Sequence, residues 1–195
     1  VGSEMCIREM FIYINIIKSN SGVGIHMYEG SAYARIISNT IDDNDDQGVI
    51  ISQSHHVELT NNVIEDNENY GVQLYYANFT QIHNNTIDDN DGGIRFIATK
   101  YSNVTKTTLE DNNGRGIWFT SNSDSNNIRD TSISGSTNDD LELDSSKKNT
   151  GFNFTFGNGK IDVDTGSDFR VMNSLNIRFI DENSNAFSGL DIELF

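Results

Sequence analysis

The chain has 195 residues, with 29 acidic side chains against 13 basic ones, a formal net charge of −16 and no proline. That charge repels nucleic acid and anionic lipid surfaces, and it argues against an acidic polysaccharide partner unless a divalent cation bridges the two. Hydrophobic content is 35%, low for a compact globule, and its Ile, Phe and Val suit strands better than helices.

The opening "VGSEMCIREMFIYINII" lacks the basic start and apolar core of a signal peptide. It reads as the interior of a longer protein. Cys6 is the single cysteine, so no disulfide framework exists. No apolar run approaches the roughly 20 residues of a membrane-crossing helix.

A repeat then begins. A branched apolar residue recurs at Ile17, Ile41, Ile64, Ile87, Leu109 and Ile133, in steps of 22 to 24 residues. Five positions earlier stands another, at Ile12, Ile36, Leu59, Ile82, Val104 and Ile128. An apolar-x-apolar pair follows each time: Ile25/Met27, Val49/Ile51, Val72/Leu74, Ile94/Phe96, Ile117/Phe119 and Leu141/Leu143. Glycine precedes five of these pairs, at Gly24, Gly48, Gly71, Gly93 and Gly116, and Asp140 takes the sixth place. These glycines serve turns that need a positive φ or a close backbone approach.

A period of 20 to 50 residues marks a solenoid, and alternation over short runs marks strands. Three short strands and three turns per repeat predict an all-β, right-handed parallel β-helix of about six coils. Two asparagine columns, Asn44, Asn67, Asn90 and Asn112, and Asn39, Asn62 and Asn85, predict amide ladders between coils. The repeat defines a unit over 1–145. Residues 146–168 read as an irregular last coil and linker, and 169–195 as the incomplete start of a second β domain. The last stretch stops inside a strand pattern, so neighbouring domains of a longer chain are expected partners.

The pattern N-x-I-x-x-N-x-x-x-G-I-x-L stands here as Asn62–Ile64–Asn67–Gly71–Val72–Leu74 and Asn85–Ile87–Asn90–Gly93–Ile94–Phe96. It resembles the right-handed β-helix repeat of the pectin-lyase-like superfamily. It is most similar to the branch named for NosD-type periplasmic copper-binding domains and for carbohydrate-binding and sugar-hydrolysing domains. The tail "LNIRFIDENSNAFSGLDIEL" resembles the opening of carboxypeptidase-regulatory-like β-sandwich modules, with Asn183–Asn185–Phe187 where that pattern has G-x-P. The resemblance implies export and an extracellular or cell-surface location. No copper ligand set accompanies it. His26 and His83 fall in different columns, and His55 and His56 are neighbours.

Candidate chemistry sits on the outward positions. The column between the apolar pairs reads His26, Ile50, Gln73, Arg95, Trp118 and Glu142, with Tyr75 and Ile97 two places on. An exposed Trp118 beside Arg95, Gln73 and Tyr75 is the ligand-binding candidate, for a sugar chain running along the rod. Asp42, Glu65, Asp88 and Glu110 form an acidic column beside Asp43, Asp66, Asp89 and Asp111. Asp66, Asp88, Asp89 and Asp91 are candidates for Ca2+, and a solvated turn edge is the plainer reading. As a catalytic cluster, Asp88, Asp89, Asp91 and Arg95 with His83 are weak. Glycosidase carboxylates need divergent environments in a cleft, and these recur as part of the repeat. Four N-x-S/T sequons, at Asn78, Asn84, Asn103 and Asn153, carry glycans only in an exported chain. The sequence therefore points to a non-catalytic surface or secreted module, a scaffold or a polysaccharide contact. A glycoside hydrolase or lyase of the same fold and a protein-binding surface module are the alternatives.

Overall fold

In the computed structural model, residues 10–157 and 160–172 are described. Residues 23 apart in the sequence sit directly above one another. Ile41 pairs with Ile64, and Ile64 with Ile87, in parallel register. The three strand positions of each coil stack into three parallel sheets. Sheet A has eight strands, from Phe11–Tyr13 to Phe169–Met172. Sheet B has six, from Ile16–Lys18 to Ser132–Ile133. Sheet C has seven, from Ile25–Met27 to Ile161–Val163. The result is an all-β right-handed parallel solenoid.

From the second coil on the core is the predicted set, while Ile12 and Ile17 of the first coil are only partly buried. The anchors Ile36 to Ile128 on sheet A and Ile41 to Ile133 on sheet B are at most 1% exposed, as are the sheet C pairs from Val49/Ile51 to Leu141/Leu143. Phe96 and Phe119 meet inside with ring centroids 4.5 Å apart. Each fully buried branched side chain contributes about 1.5–3 kcal/mol relative to exposure. One coil buries little by itself; stacked coils bury a continuous core.

Corners are where the polar part of the repeat acts. Asn44 donates from its side-chain amide to Asn67 at 2.8 Å, Asn67 to Asn90 at 2.8 Å and Asn90 to Asn112 at 3.2 Å. Asn39 donates to Asn62 and Asn62 to Asn85, each at 3.0 Å. A third ladder, not seen in the sequence, starts at the Thr80 N–H, which donates to Ser102, and continues from the Ser102 N–H to Asn126 and the Asn126 N–H to Asn149. It hides because its residue type changes from coil to coil while its role, accepting from the backbone N–H of the coil beside it, does not.

The glycine column has a narrower purpose than the sequence implied. A Cβ on Gly48 would lie 2.6 Å from Ile64 and 2.8 Å from the Gly71 carbonyl oxygen, so close approach is the constraint. Positive φ falls instead on non-glycine corner residues, such as Asn61 (58°), Asp66 (54°), Tyr76 (50°) and Phe79 (60°). The left-handed turn aims each of their N–H groups along the rod. Asn61 donates to His83, Asp66 to Asp88, Tyr76 to Ile97 and Phe79 to Lys100. That hydrogen bond offsets a conformation costing roughly 1–2 kcal/mol for a residue with a side chain.

Stacking continues past Ser145. Asn149–Phe152 pair in parallel with Asn127–Arg129, and Ile161–Val163 with Leu141–Leu143. Phe169–Met172, which the change of texture placed in a second unit, pair with Asn149–Phe152 and extend sheet A. The solenoid thus has about seven turns rather than six. The remainder of the 169–195 segment, and the sandwich-like tail with it, lies outside the described residues.

Candidate functional site

The outward faces of sheets B and C differ in kind. Sheet B carries Asp42, Glu65, Asp88 and Glu110 in direct register. The neighbouring corner carries Asp43, Asp66, Asp89 and Asp111, each at positive φ. Burial raises the Asp88 carboxyl above its ordinary value, and the charges of Asp89, Glu110 and Asp111 add to this. Burial raises Glu65 likewise, helped by Asp42, Asp66, Asp88 and Asp89.

The calcium candidates are only partly brought together. Asp66, Asp89 and Asp91 line one shallow concavity with Glu68, while Asp88 lies outside its lining. Among the described residues, no three His, Cys, Asp or Glu side chains come close enough to hold a metal ion. The catalytic candidates are spread further. His83 lies on sheet A, bonded through Nδ1 to the Thr105 hydroxyl at 2.8 Å. Asp88 lies on sheet B and Arg95 on sheet C. The three residues occupy successive faces of one coil rather than one cleft.

On sheet C the predicted column stands in register: Gln73 beside Arg95, Arg95 beside Trp118, Trp118 beside Glu142. Trp118 points outward, but it is not the open ring the sequence implied. The Arg95 guanidinium lies 4.2 Å from its centroid and that of Arg115 4.3 Å. Tyr70 stacks beside it at 6.4 Å, and the indole Nε1 is enclosed with no hydrogen-bond partner among the described residues. Trp118 is therefore the centre of a packed cluster. Arg115 and Tyr70 escaped the sequence reading because they precede the apolar pairs, at the corner position where the intervening coil has Gly92. That glycine makes the cluster possible: a Cβ there would lie 2.5 Å from the Tyr70 ring. Glu142 is ion-paired to Arg115 and raises the guanidinium pKa further. Burial raises the Tyr70 phenol, with Arg115 and Arg95 pulling the other way.

The open aromatic surface is at the next corner, between sheets C and A. Tyr75 is 39% exposed and Tyr76 49%, and the two rings meet edge to face. Two shallow concavities meet there and share Tyr76 and Asn78. Gln53 and His55 line one; Lys100, Ser121 and Asn122 line the other. Beside them Tyr33, His56, Phe79 and Tyr101 stack face to face at 4.9, 4.8 and 5.3 Å. The histidine pair does sit in a turn, as a chelate would require. However, His56 is held between two rings, and His55 Nδ1 accepts from the Asn78 N–H at 3.1 Å. The aromatic stack was legible only as Tyr33, His56, Phe79 and Tyr101 at steps of 22 and 23 residues. A column mixing histidine with three aromatics does not look like a repeat.

Residues 23–186 match the family described as "Right handed beta helix region". No curated protein matches the sequence. Among solved structures, a mutant of the periplasmic alginate epimerase AlgG superposes with a TM-score of 0.64 at 17% identity, over 68% of this chain and 32% of that one. The AlgG structure itself gives 0.62 at 14% identity, over 84% of this chain and 39% of that one. The Agl-KA catalytic domain gives 0.56 at 11% identity, over 82% and 47%. The chain thus spans a third to a half of the length of these structures, and identities this low show a shared fold alone.

Proposed function

The chain belongs to the right-handed beta-helix family, and from that premise we propose that it is an exported or periplasmic solenoid module that contacts a glycan chain without transforming it. Within the family we place it nearest the carbohydrate-binding and sugar-hydrolysing branch. The observation that carries this reading is the groove through Gln53, His55, Tyr76, Asn78, Lys100 and Asn122 beside exposed Tyr75. Amide, imidazole, ammonium and phenol groups alternate there with open ring surface. Sugars present the matching mixture of hydroxyls and C–H faces. The groove crosses four coils, so its partner is a chain of several residues rather than a single sugar. The structural likeness to an alginate epimerase is consistent with a glycan partner and supplies no residue roles.

Titration of the chain with a panel of neutral and acidic oligosaccharides, followed by calorimetry and product analysis, tests this. Binding that Tyr76→Ala weakens tenfold or more, about 1.4 kcal/mol, with no change in the sugars, is the expected result. Absence of binding across the panel sinks the glycan reading. Cleaved or epimerised products show an enzyme instead.

A further inference from the structure

The total charge argues against an acidic polymer as partner, but the folded charge distribution is uneven. Asp42, Glu65, Asp88 and Glu110 line sheet B, Glu58 stands on sheet A paired to Arg35, and Asp124, at the corner after sheet C, is paired to Lys100. On sheet C the outward column is free of carboxylate from His26 through Trp118, and meets its first acid at Glu142. In that carboxylate-free stretch two of the 13 basic residues converge on the chain's one tryptophan.

Arg95 is the unusual member. Arg115 has Glu142 as its ion-pair partner. Arg95 has no carboxylate within ion-pair reach among the described residues, although the protein holds 29 acids. Among the described residues its Nε is enclosed without a hydrogen-bond partner, as is Trp118 Nε1 on the adjacent rung. An enclosed donor left unpaired costs about 1–3 kcal/mol, and a guanidinium presents a planar fork suited to a carboxylate or sulfate. Stacking on Trp118 and Tyr70 holds that fork in place before any ligand arrives. Glu142 stands two rungs from Arg95, about 9.6 Å at ordinary strand spacing. Its carboxylate is engaged by Arg115.

The geometry points to an anion-receiving site at Arg95, Trp118 and Arg115 that takes an acidic substituent, carboxylate or sulfate ester, of a glycan. This rests on the glycan reading above and adds the substrate class to it. The anion takes the terminal Nη donors of Arg95, with Nε enclosed behind them, while Arg115, already bound to Glu142, adds field rather than a second fork. Sheet C and the groove at its edge lie on one continuous surface through Tyr75, so a chain in the groove extends its substituents toward Arg95.

Trp118 is the only tryptophan, so its fluorescence reports on this site alone. The probes are dextran, carboxymethyl-dextran, dextran sulfate and inorganic sulfate, each titrated into the full chain at physiological salt. The expected result is a saturable change in Trp118 emission with the two acidic dextrans and tighter binding of at least one of them than of neutral dextran. Arg95→Gln weakens the acidic forms tenfold or more and leaves neutral dextran unchanged. Arg95→Lys, which keeps the charge and loses the fork, restores only part. Arg129→Gln on sheet A changes neither, and a thermal melt confirms that each variant folds. If neutral dextran binds and no acidic probe moves Trp118, the anion site is wrong and the glycan reading stands. If inorganic sulfate moves Trp118 while no dextran binds, the anion site stands and the glycan reading falls. Equal loss of neutral and acidic binding in Arg95→Gln also overturns the site, because it shows a structural role.

Discussion

Sheets B and C are built on the same rungs and the same buried core, yet their outer faces follow opposite rules. Sheet B repeats its residue type at every coil, Asp42, Glu65, Asp88 and Glu110. Sheet C changes it at every coil, from His26 through Ile50, Gln73 and Arg95 to Trp118. A repeated outward residue meets only its own kind, so a carboxylate stripe repels itself and keeps the rod dispersed. A varied column places unlike groups in contact, and only unlike groups make a site. Constancy marks the part of the surface that serves the solenoid. Variation marks the part where unlike groups meet.

The largest effect on this contrast comes from the core that both faces share. Ile64→Ala removes a fully buried anchor between Ile41 and Ile87. Its expected cost is about 2–5 kcal/mol, read from the denaturant midpoint, and it weakens both faces together. A loss confined to one face contradicts a common core.

Gly92→Ala separates the faces. The added methyl group meets the Tyr70 ring, and the expected cost of such overpacking is about 1–3 kcal/mol. Trp118 emission changes as Arg95 and Arg115 lose their stack, while acid titration of sheet B stays as it was. An unchanged Trp118 spectrum refutes the role given to this glycine.

The smallest effect is electrostatic. Glu65 and Asp88 have folded carboxyl values raised above the unfolded ones. Their contribution to stability is therefore fully present below the unfolded value and is lost as pH rises through the folded one. Both groups are partly exposed to solvent, so Glu65→Gln with Asp88→Asn stabilises the protein near neutral pH by under about 1 kcal/mol. The gain shrinks in high salt. Melting curves from pH 3 to 8 check it, and a variant less stable than the parent at neutral pH contradicts the repulsion.

Much of the fold is legible in the residues because its main force is registered along the chain. The spacing of Ile41, Ile64 and Ile87 is the spacing of one turn, and an apolar residue at that period is buried or the coil does not form. The polar ladders of Asn67 and Asn39 follow for the same reason: each amide meets its own copy. Ladders of mixed type, such as Thr80, Ser102, Asn126 and Asn149, are invisible because hydroxyls and amides substitute for one another as acceptors. The segment after Ser145 misled by composition, since Phe169–Met172 keep the pairing of sheet A after the signature residues are gone.

The site was legible in half. That Gln73, Arg95 and Trp118 share a column is a consequence of the period. That Trp118 lies between two guanidiniums, one of them from a corner residue, is not.

From its residues alone, this protein has a determined period, strand positions, core and acidic edge, because burial and like-charge spacing depend on where a residue falls within its own coil. The tertiary structure decided which unlike side chains touch: Tyr70 reaching Trp118 across Gly92, Arg95 left without a carboxylate among the described residues, Tyr76 opening onto Asn78. Those meetings depend on how far a side chain leans over the next rung and on what the intervening residue leaves empty, and neither is encoded at any single position.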